Sequence, residues 1–162
     1  MQVEIADDVL NKLRRGLRCA GRREIGGVIM AEQVKPGHFR IVDLSIDKAT
    51  GGRAHFVRSP EAHREALDAF FERTGNEYSR FNYLGEWHSH PGFPVVPSIQ
   101  DISSMAELVR GERGIDFAIL LIVRLHWWRK ITASCTLFRR DSSPSAVEIL
   151  EIRTCLNTSF VR

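Results

Sequence analysis

Gly85-Glu86-Trp87-His88-Ser89-His90-Pro91-Gly92-Phe93-Pro94-Val95-Val96-Pro97-Ser98-Ile99-Gln100-Asp101 sets the reading of the rest of the chain. Tyr83 to His88 has the apolar character of a buried strand running out to its end. Side chains alternate along a strand, so His88 and His90 share a face and Ser89 takes the opposite one. Pro91, Gly92, Pro94 and Pro97 make the next segment a loop, since proline cannot donate to a ladder and glycine weakens one. Ser98 then opens a helix whose apolar spacing runs through Ile102, Met105, Leu108 and Val109.

Asp101 falls in the first turn of that helix, where exposed N–H groups and the dipole favour a carboxylate. A strand end and a helix start joined by one loop can bring His88, His90 and Asp101 to a single point. Two imidazoles and a carboxylate are a common ligand set for catalytic zinc, with a fourth position left for water. Ser98-x-x-Asp101 is also an ordinary capping box, in which Asp101 reaches back to its own helix start.

The joint pattern resembles the signature of the JAMM (JAB/MPN+) metallopeptidases. That signature is His-Ser/Thr-His-Pro followed at fixed spacing by Ser-x-x-Asp, with a glutamate well upstream. His88, Ser89, His90, Pro91, Ser98 and Asp101 match it in identity and interval. The resemblance implies zinc held by His88, His90 and Asp101. It also implies that Glu24, ahead of the glycine-rich apolar run Ile25 to Met30, acts as general base, and that the Ser98 hydroxyl donates to the oxyanion of a tetrahedral intermediate. From the residues alone Ser98 is a cap, and the two roles are compatible. Glu86 competes with Glu24 by nearness; its parity puts it on the face of His88, where it can orient an imidazole. Trp87 and Phe93 are further candidates, beside the metal or lining a substrate groove.

At 162 residues, with 43% hydrophobic and 27% charged, the chain predicts one domain spanning 1–162 around a real core. No apolar run approaches the roughly 20 residues of a membrane helix, and the acidic start Glu4, Asp7, Asp8 is unlike a secretory signal. Cys19, Cys135 and Cys155 have no Cys-x-x-Cys spacing, so neither a disulfide framework nor a cysteine zinc site is indicated. These features predict a cytoplasmic protein. The net charge is only +3, and Arg14, Arg15, Arg18, Arg22 and Arg23 read as the solvated side of a helix. No nucleic-acid or membrane partner is expected; an acidic protein partner stays open.

Ile5 to Leu17 predicts a helix with Ile5, Val9, Leu10, Leu13 and Leu17 as its buried stripe. Strands come next at Glu24–Met30 and His38–Ile46, then a loop over Lys48–Arg53 and a short strand near His55-Phe56-Val57. A helix opens at Ser59-Pro60-Glu61 and buries Ala66, Leu67, Phe70 and Phe71. After the motif come a doubly buried strand at Asp116–Leu125 and strands at Arg129–Phe138 and Ala146–Ile152, the last two split by a turn at Asp141–Pro144. His38, His55, His63 and His126 read as ordinary strand or surface residues, and Trp127-Trp128 as one core and one exposed ring. This order argues for an α/β sandwich with a mixed sheet; the resemblance implies the three-layer, cytidine-deaminase-like JAMM/MPN fold.

Other zinc chemistries are excluded by sequence. There is no His-Glu-x-x-His, and no His-x-Glu with Pro-Cys-x-x-Cys as a deaminase needs. The activity implied is hydrolysis of an amide or isopeptide bond after the terminal glycine of ubiquitin or a ubiquitin-like protein. By resemblance the short form belongs to the bacterial stand-alone branch, associated with E1- and E2-like enzymes in defence systems. Two other readings remain: a small-molecule or sulfur-carrier metallohydrolase of the same fold, and a non-enzymatic binding module with structural zinc.

Overall fold

The computed structural model describes residues 1–47, 60–111, 114–127 and 130–150. The loop expected at Lys48–Arg53, the short strand near His55, the helix-opening Ser59, Trp128 and the end of the last strand at Ile152 lie outside the described residues.

The chain runs β1 (Gln2–Ile5), α1 (Asp7–Ala20), β2 (Gly26–Lys35), β3 (His38–Leu44), α2 (Pro60–Arg73), β4 (Phe81–Ser89), α3 (Ile99–Gly111), β5 (Phe117–His126), β6 (Lys130–Arg139), β7 (Ser142–Ala146) and β8 (Glu148–Leu150). The strands form one mixed sheet in the order β7-β6-β5-β4-β2-β3-β1-β8. Its two faces are read off β5. Ile119, Leu121 and Val123 pack into the core that holds Val9, Leu10, Leu13 and Leu17 of α1. Ala118, Leu120 and Ile122 pack on the other side with Met105 and Val109 of α3, while Phe70 of α2 covers Val28 and Met30 of β2. Helices therefore cover both faces, and the expected three-layer α/β sandwich is the fold.

Several boundaries differ from the sequence reading. Ile5 closes β1 rather than starting α1: Val3 and Ile5 point inward while Gln2 and Glu4 stay partly exposed, a period-2 signal only four residues long. The helix begins at Asp7, with Asp7 and Asp8 in its first turn, and closes on Gly21 at φ 64°, whose N–H meets the Leu17 carbonyl. The turn expected at Asp141–Pro144 gives way to β7, wholly exposed at the sheet edge, the one strand position that tolerates Pro144. Ile102 is 40% exposed, so the buried stripe of α3 narrows to Met105 and Val109. His63 is a buried residue of α2, not a surface one.

Two glycines fix how β4 meets its neighbours. A side chain on Gly27 would collide with the Ser45 main chain, and one on Gly85, at φ 155°, with the Ile119 carbonyl of β5. Gly85 also sits at a bulge: Ile29 pairs with Gly85 and Met30 with Tyr83, which leaves Leu84 as the extra residue. The bulge shifts the alternation, so Leu84 and Trp87 both enter the α1-side core while Tyr83 packs on the other face.

Candidate active site

Beyond the bulge β4 alternates regularly to its end. Trp87 is fully buried in the α1-side core, and its indole N–H donates to the Ser45 carbonyl at 2.8 Å. The expectation that Trp87 lines a groove or supports the metal is thereby corrected: it faces away from both histidines. His88 and His90 emerge on the opposite face with Nε2 atoms 3.0 Å apart. The first turn of α3 brings Asp101 Oδ1 to 3.6 Å from His88 Nε2. One donor atom from each of the three lies within 4.8 Å of the other two.

This arrangement fits a metal ion on geometry and chemistry. Tetrahedral zinc with bonds near 2.0–2.1 Å places its ligand atoms about 3.3 Å from one another, and the two closest separations here, 3.0 and 3.6 Å, bracket that value. His90 Nδ1 lies 2.7 Å from the Pro94 carbonyl, which can only accept. The ring hydrogen therefore sits on Nδ1 and the Nε2 lone pair is free for a metal. Burial pushes the His88 imidazole down to about 4, the Asp101 carboxylate pulls it back up, and His90 adds to the fall. His88 is thus neutral near pH 7, as a ligand must be.

Asp101 is held by the capping box. The Ser98 N–H and hydroxyl both donate to Asp101 Oδ2 at 2.7 Å, and the Asp101 N–H donates back to Ser98 Oγ at 3.1 Å. The cap and the ligand are therefore one device: Oδ2 is tied to the helix start and Oδ1 is left facing His88. The one hydroxyl proton of Ser98 goes to Asp101 here and not to a substrate oxygen.

Glu24 is buried just ahead of β2. Gly26 pairs with His88, and the Ser89 N–H donates to the Ile25 carbonyl at 2.8 Å, so the same register places Glu24 across from His90. Ile25 enters the α1-side core, and alternation turns Glu24 to the face of the histidines. Glu86 is buried on that face as well, two residues back, where it borders an open groove of about 780 Å³ running between α2 and α3 past Val28, Leu67 and Leu108. Phe93 is half exposed, its ring centroid 6.4 Å from that of His90 and nearly edge-on to it. The Phe93 carbonyl accepts from Arg124 at 3.3 Å, which fastens the proline loop to β5. Sequence reasoning placed Pro94 in the loop but missed its carbonyl's contact with His90, as well as Arg124 and the partner of Ser89. Each acts through a main-chain group far away in sequence or carried by an unremarkable residue, so residue identity gave no signal.

Residues 6–139 match the family described as prokaryotic homologs of the JAB domain. The chain belongs to that family. A CD-NTase/cGAS isopeptidase of Vibrio cholerae serotype O1 is 26% identical over 125 residues, 74% of this chain and 76% of that protein. Among solved structures, a protein of Desulfitobacterium hafniense superimposes with a TM-score of 0.62 at 20% identity, covering 91% of each chain. A Salinibacter ruber protein does so with a TM-score of 0.51 at 17% identity, covering 94% of this chain and 95% of that one. These two share the fold. In this member of the family, His88, His90 and Asp101 form a group that could hold a metal ion. Among the described residues, no helix is long and apolar enough to cross a membrane.

Proposed function

We propose that residues 1–162 form one cytoplasmic catalytic domain, a zinc-dependent isopeptidase that releases a carrier protein from its conjugates or trims its precursor. The observation that carries this reading is the convergence of His88, His90 and Asp101 at the end of β4, in a chain of the JAB family. His88, His90 and Asp101 would hold the ion. When bound, zinc lowers the pKa of a water from 15.7 towards about 7 and polarises the scissile carbonyl. Glu24 accepts the proton of the attacking water and returns it to the leaving amine. Ser98 holds Asp101 in place; to serve an oxyanion its hydroxyl would first have to leave Oδ2. Phe93 and the proline loop form one wall of the substrate groove, and the carrier's extended tail lies along a strand edge beside them.

The carrier is a ubiquitin-like protein cut after its terminal glycine, with E1- and E2-like enzymes of the same system as further partners and antiviral defence as the setting. A second substrate class comes from the name of the Vibrio cholerae relative, which attaches isopeptidase activity to CD-NTase/cGAS. The test is a panel of reporter fusions, each joining a carrier's C-terminus to a fluorescent protein, with mass spectrometry of the products and metal analysis of the enzyme. The expected result is about one zinc per chain and a single cut directly after the carrier. Cuts at scattered sites would replace the reading with a general peptidase. Zinc without turnover of any fusion would leave the non-enzymatic module with a structural metal, and turnover of small amides alone would leave the metallohydrolase.

A further inference from the structure

Ser89 stands between two metal ligands yet faces the other way, and its side chain is buried. At the hydrogen-bonded positions of an antiparallel pair, two opposed residues exchange both main-chain hydrogen bonds. At Ile25 and Ser89 only one of the two obeys that rule: the Ser89 N–H donates to the Ile25 carbonyl at 2.8 Å. The Ile25 N–H is met instead by the Ser89 hydroxyl oxygen, at 3.0 Å. A side chain thus stands in for a carbonyl at the point where the chain ahead of β2 leaves β4. The residue before that amide is Glu24.

We propose that Ser89 is a positioning residue for Glu24: its hydroxyl captures the Ile25 amide and thereby fixes the Glu24 backbone opposite His90. This rests on the reading of Glu24 as general base. The histidines are set by the same strand, since the His90 N–H is tied to the Val123 carbonyl of β5 at 2.9 Å. One residue, Ser89, therefore couples the segment carrying the base to the strand carrying two ligands. Any residue at position 89 keeps the alternation that aims His88 and His90. Only one with an acceptor one bond beyond Cβ reaches the Ile25 amide. Threonine meets that requirement, and Ser89 borders a cavity of about 200 Å³ between α1 and the end of β5, which has room for the added methyl.

The test compares Ser89→Ala, Ser89→Thr and Ser89→Cys with the wild-type protein, on the reporter fusion that the wild type cleaves fastest. Ser89→Ala should bind zinc to the same stoichiometry and keep its KM, while kcat falls roughly 10²-fold, the loss typical of a group displaced by about 1 Å. Ser89→Thr should recover most of kcat. In a Glu24→Ala background Ser89→Ala should cost almost nothing further, because the residue it positions is gone. Equal losses in both backgrounds would overturn the proposal, as would a Ser89→Ala protein that melts earlier but turns over normally. If the alanine variant does not fold, Ser89→Cys keeps the volume with a poor acceptor and is read in its place.

A second arm needs no substrate. Hydrogen exchange at the Ile25 amide should speed up at least tenfold in Ser89→Ala and stay slow in Ser89→Thr, and a crystal structure of Ser89→Ala should show Glu24 displaced. A wild-type protein that cleaves no fusion would sink the isopeptidase reading. Ser89 would then stand or fall on this arm alone: unchanged exchange or an unmoved Glu24 overturns the proposal, and a shift in both supports it.

Discussion

The last residues of β4 and its exit differ sharply by face. Glu86, His88 and His90 turn to the side where Asp101 waits; Trp87 and Ser89 turn to the core under α1. The polar face could not hold two imidazoles 3.0 Å apart on its own, because burying the His88 ring costs desolvation and His90 stands hard against it. The opposite face provides the restraint: a buried indole pinned to Ser45 and a hydroxyl pinned to Ile25. Reactivity and rigidity are thus alternate residues of one strand, and substitutions on the two faces should fail in different ways.

The largest expected effect lies on the ligand face. His88→Ala or Asp101→Ala each removes one of three protein ligands, so zinc and turnover should disappear together, as metal analysis and reporter cleavage would show. Glu24→Ala should instead retain zinc and the melting temperature while turnover falls roughly 10²–10⁴-fold. A Glu24→Ala protein with near-full activity would move the base to Glu86; one that folds but lacks zinc would make Glu24 a ligand.

On the core face, Trp87 should give the reverse signature, whereas Ser89 acts on turnover through the Ile25 amide. Trp87→Ala empties the largest fully buried side chain and should cost about 3–5 kcal/mol of stability, seen in denaturant melts. The fraction that remains folded should turn over normally, since the ring lies in the α1-side core and donates to Ser45. Loss of zinc affinity in a folded Trp87→Phe protein would break the separation of faces.

That separation was only partly legible in the sequence. Period-2 alternation placed His88 and His90 together, and the Pro- and Gly-rich loop leading to Ser-x-x-Asp placed the start of α3 beside them. The bulge at Leu84–Gly85 was not legible, because it exists only through pairing with Ile29 and Met30, more than fifty residues earlier. Trp87 reads as a groove residue because its neighbours in sequence are ligands, whereas its neighbours in space are Ser45 and α1. β1 was hidden because four residues of alternation merge into a helical stripe that begins on the same Ile5, and β7 because serines and a proline favour a turn wherever no sheet edge is at hand. For the bulge, Trp87 and β1 the deciding partner was distant in the chain, whereas β7 pairs with β6, the strand just before it.

A gentler probe of the ligand face is pH, applied to the zinc-free protein. His88 is lowered to about 4 in the folded state, against about 6.5 when unfolded. Between those values the unfolded chain binds a proton that the folded site refuses, so stability should fall as pH drops through that window and level off below it. The full effect is about 3 kcal/mol. His88→Gln should flatten the profile, and zinc, which holds His88 neutral in the folded state alone, should leave the onset in place and extend the fall to lower pH. An unchanged slope in His88→Gln would mean that the site is more open to water than its burial indicates.

The smallest expected effect separates two roles for Ser98. Its hydroxyl and N–H both meet Asp101 Oδ2 at 2.7 Å, so removing the hydroxyl takes away one of two restraints on the ligand carboxylate and the side-chain cap of α3. Losing the cap should cost about 1 kcal/mol, and loosening the carboxylate should weaken zinc binding by roughly tenfold, the low end for a group that supports a metal ligand. At saturating zinc Ser98→Ala should then turn over at nearly the wild-type rate, because the proton it lost was committed to Asp101. A loss of roughly 10²-fold that persists at saturating zinc, in a protein destabilised by no more than the lost cap, would return the hydroxyl to the oxyanion. That result would require Ser98 to leave Oδ2 when substrate enters, with its backbone N–H alone keeping Asp101 aimed at His88.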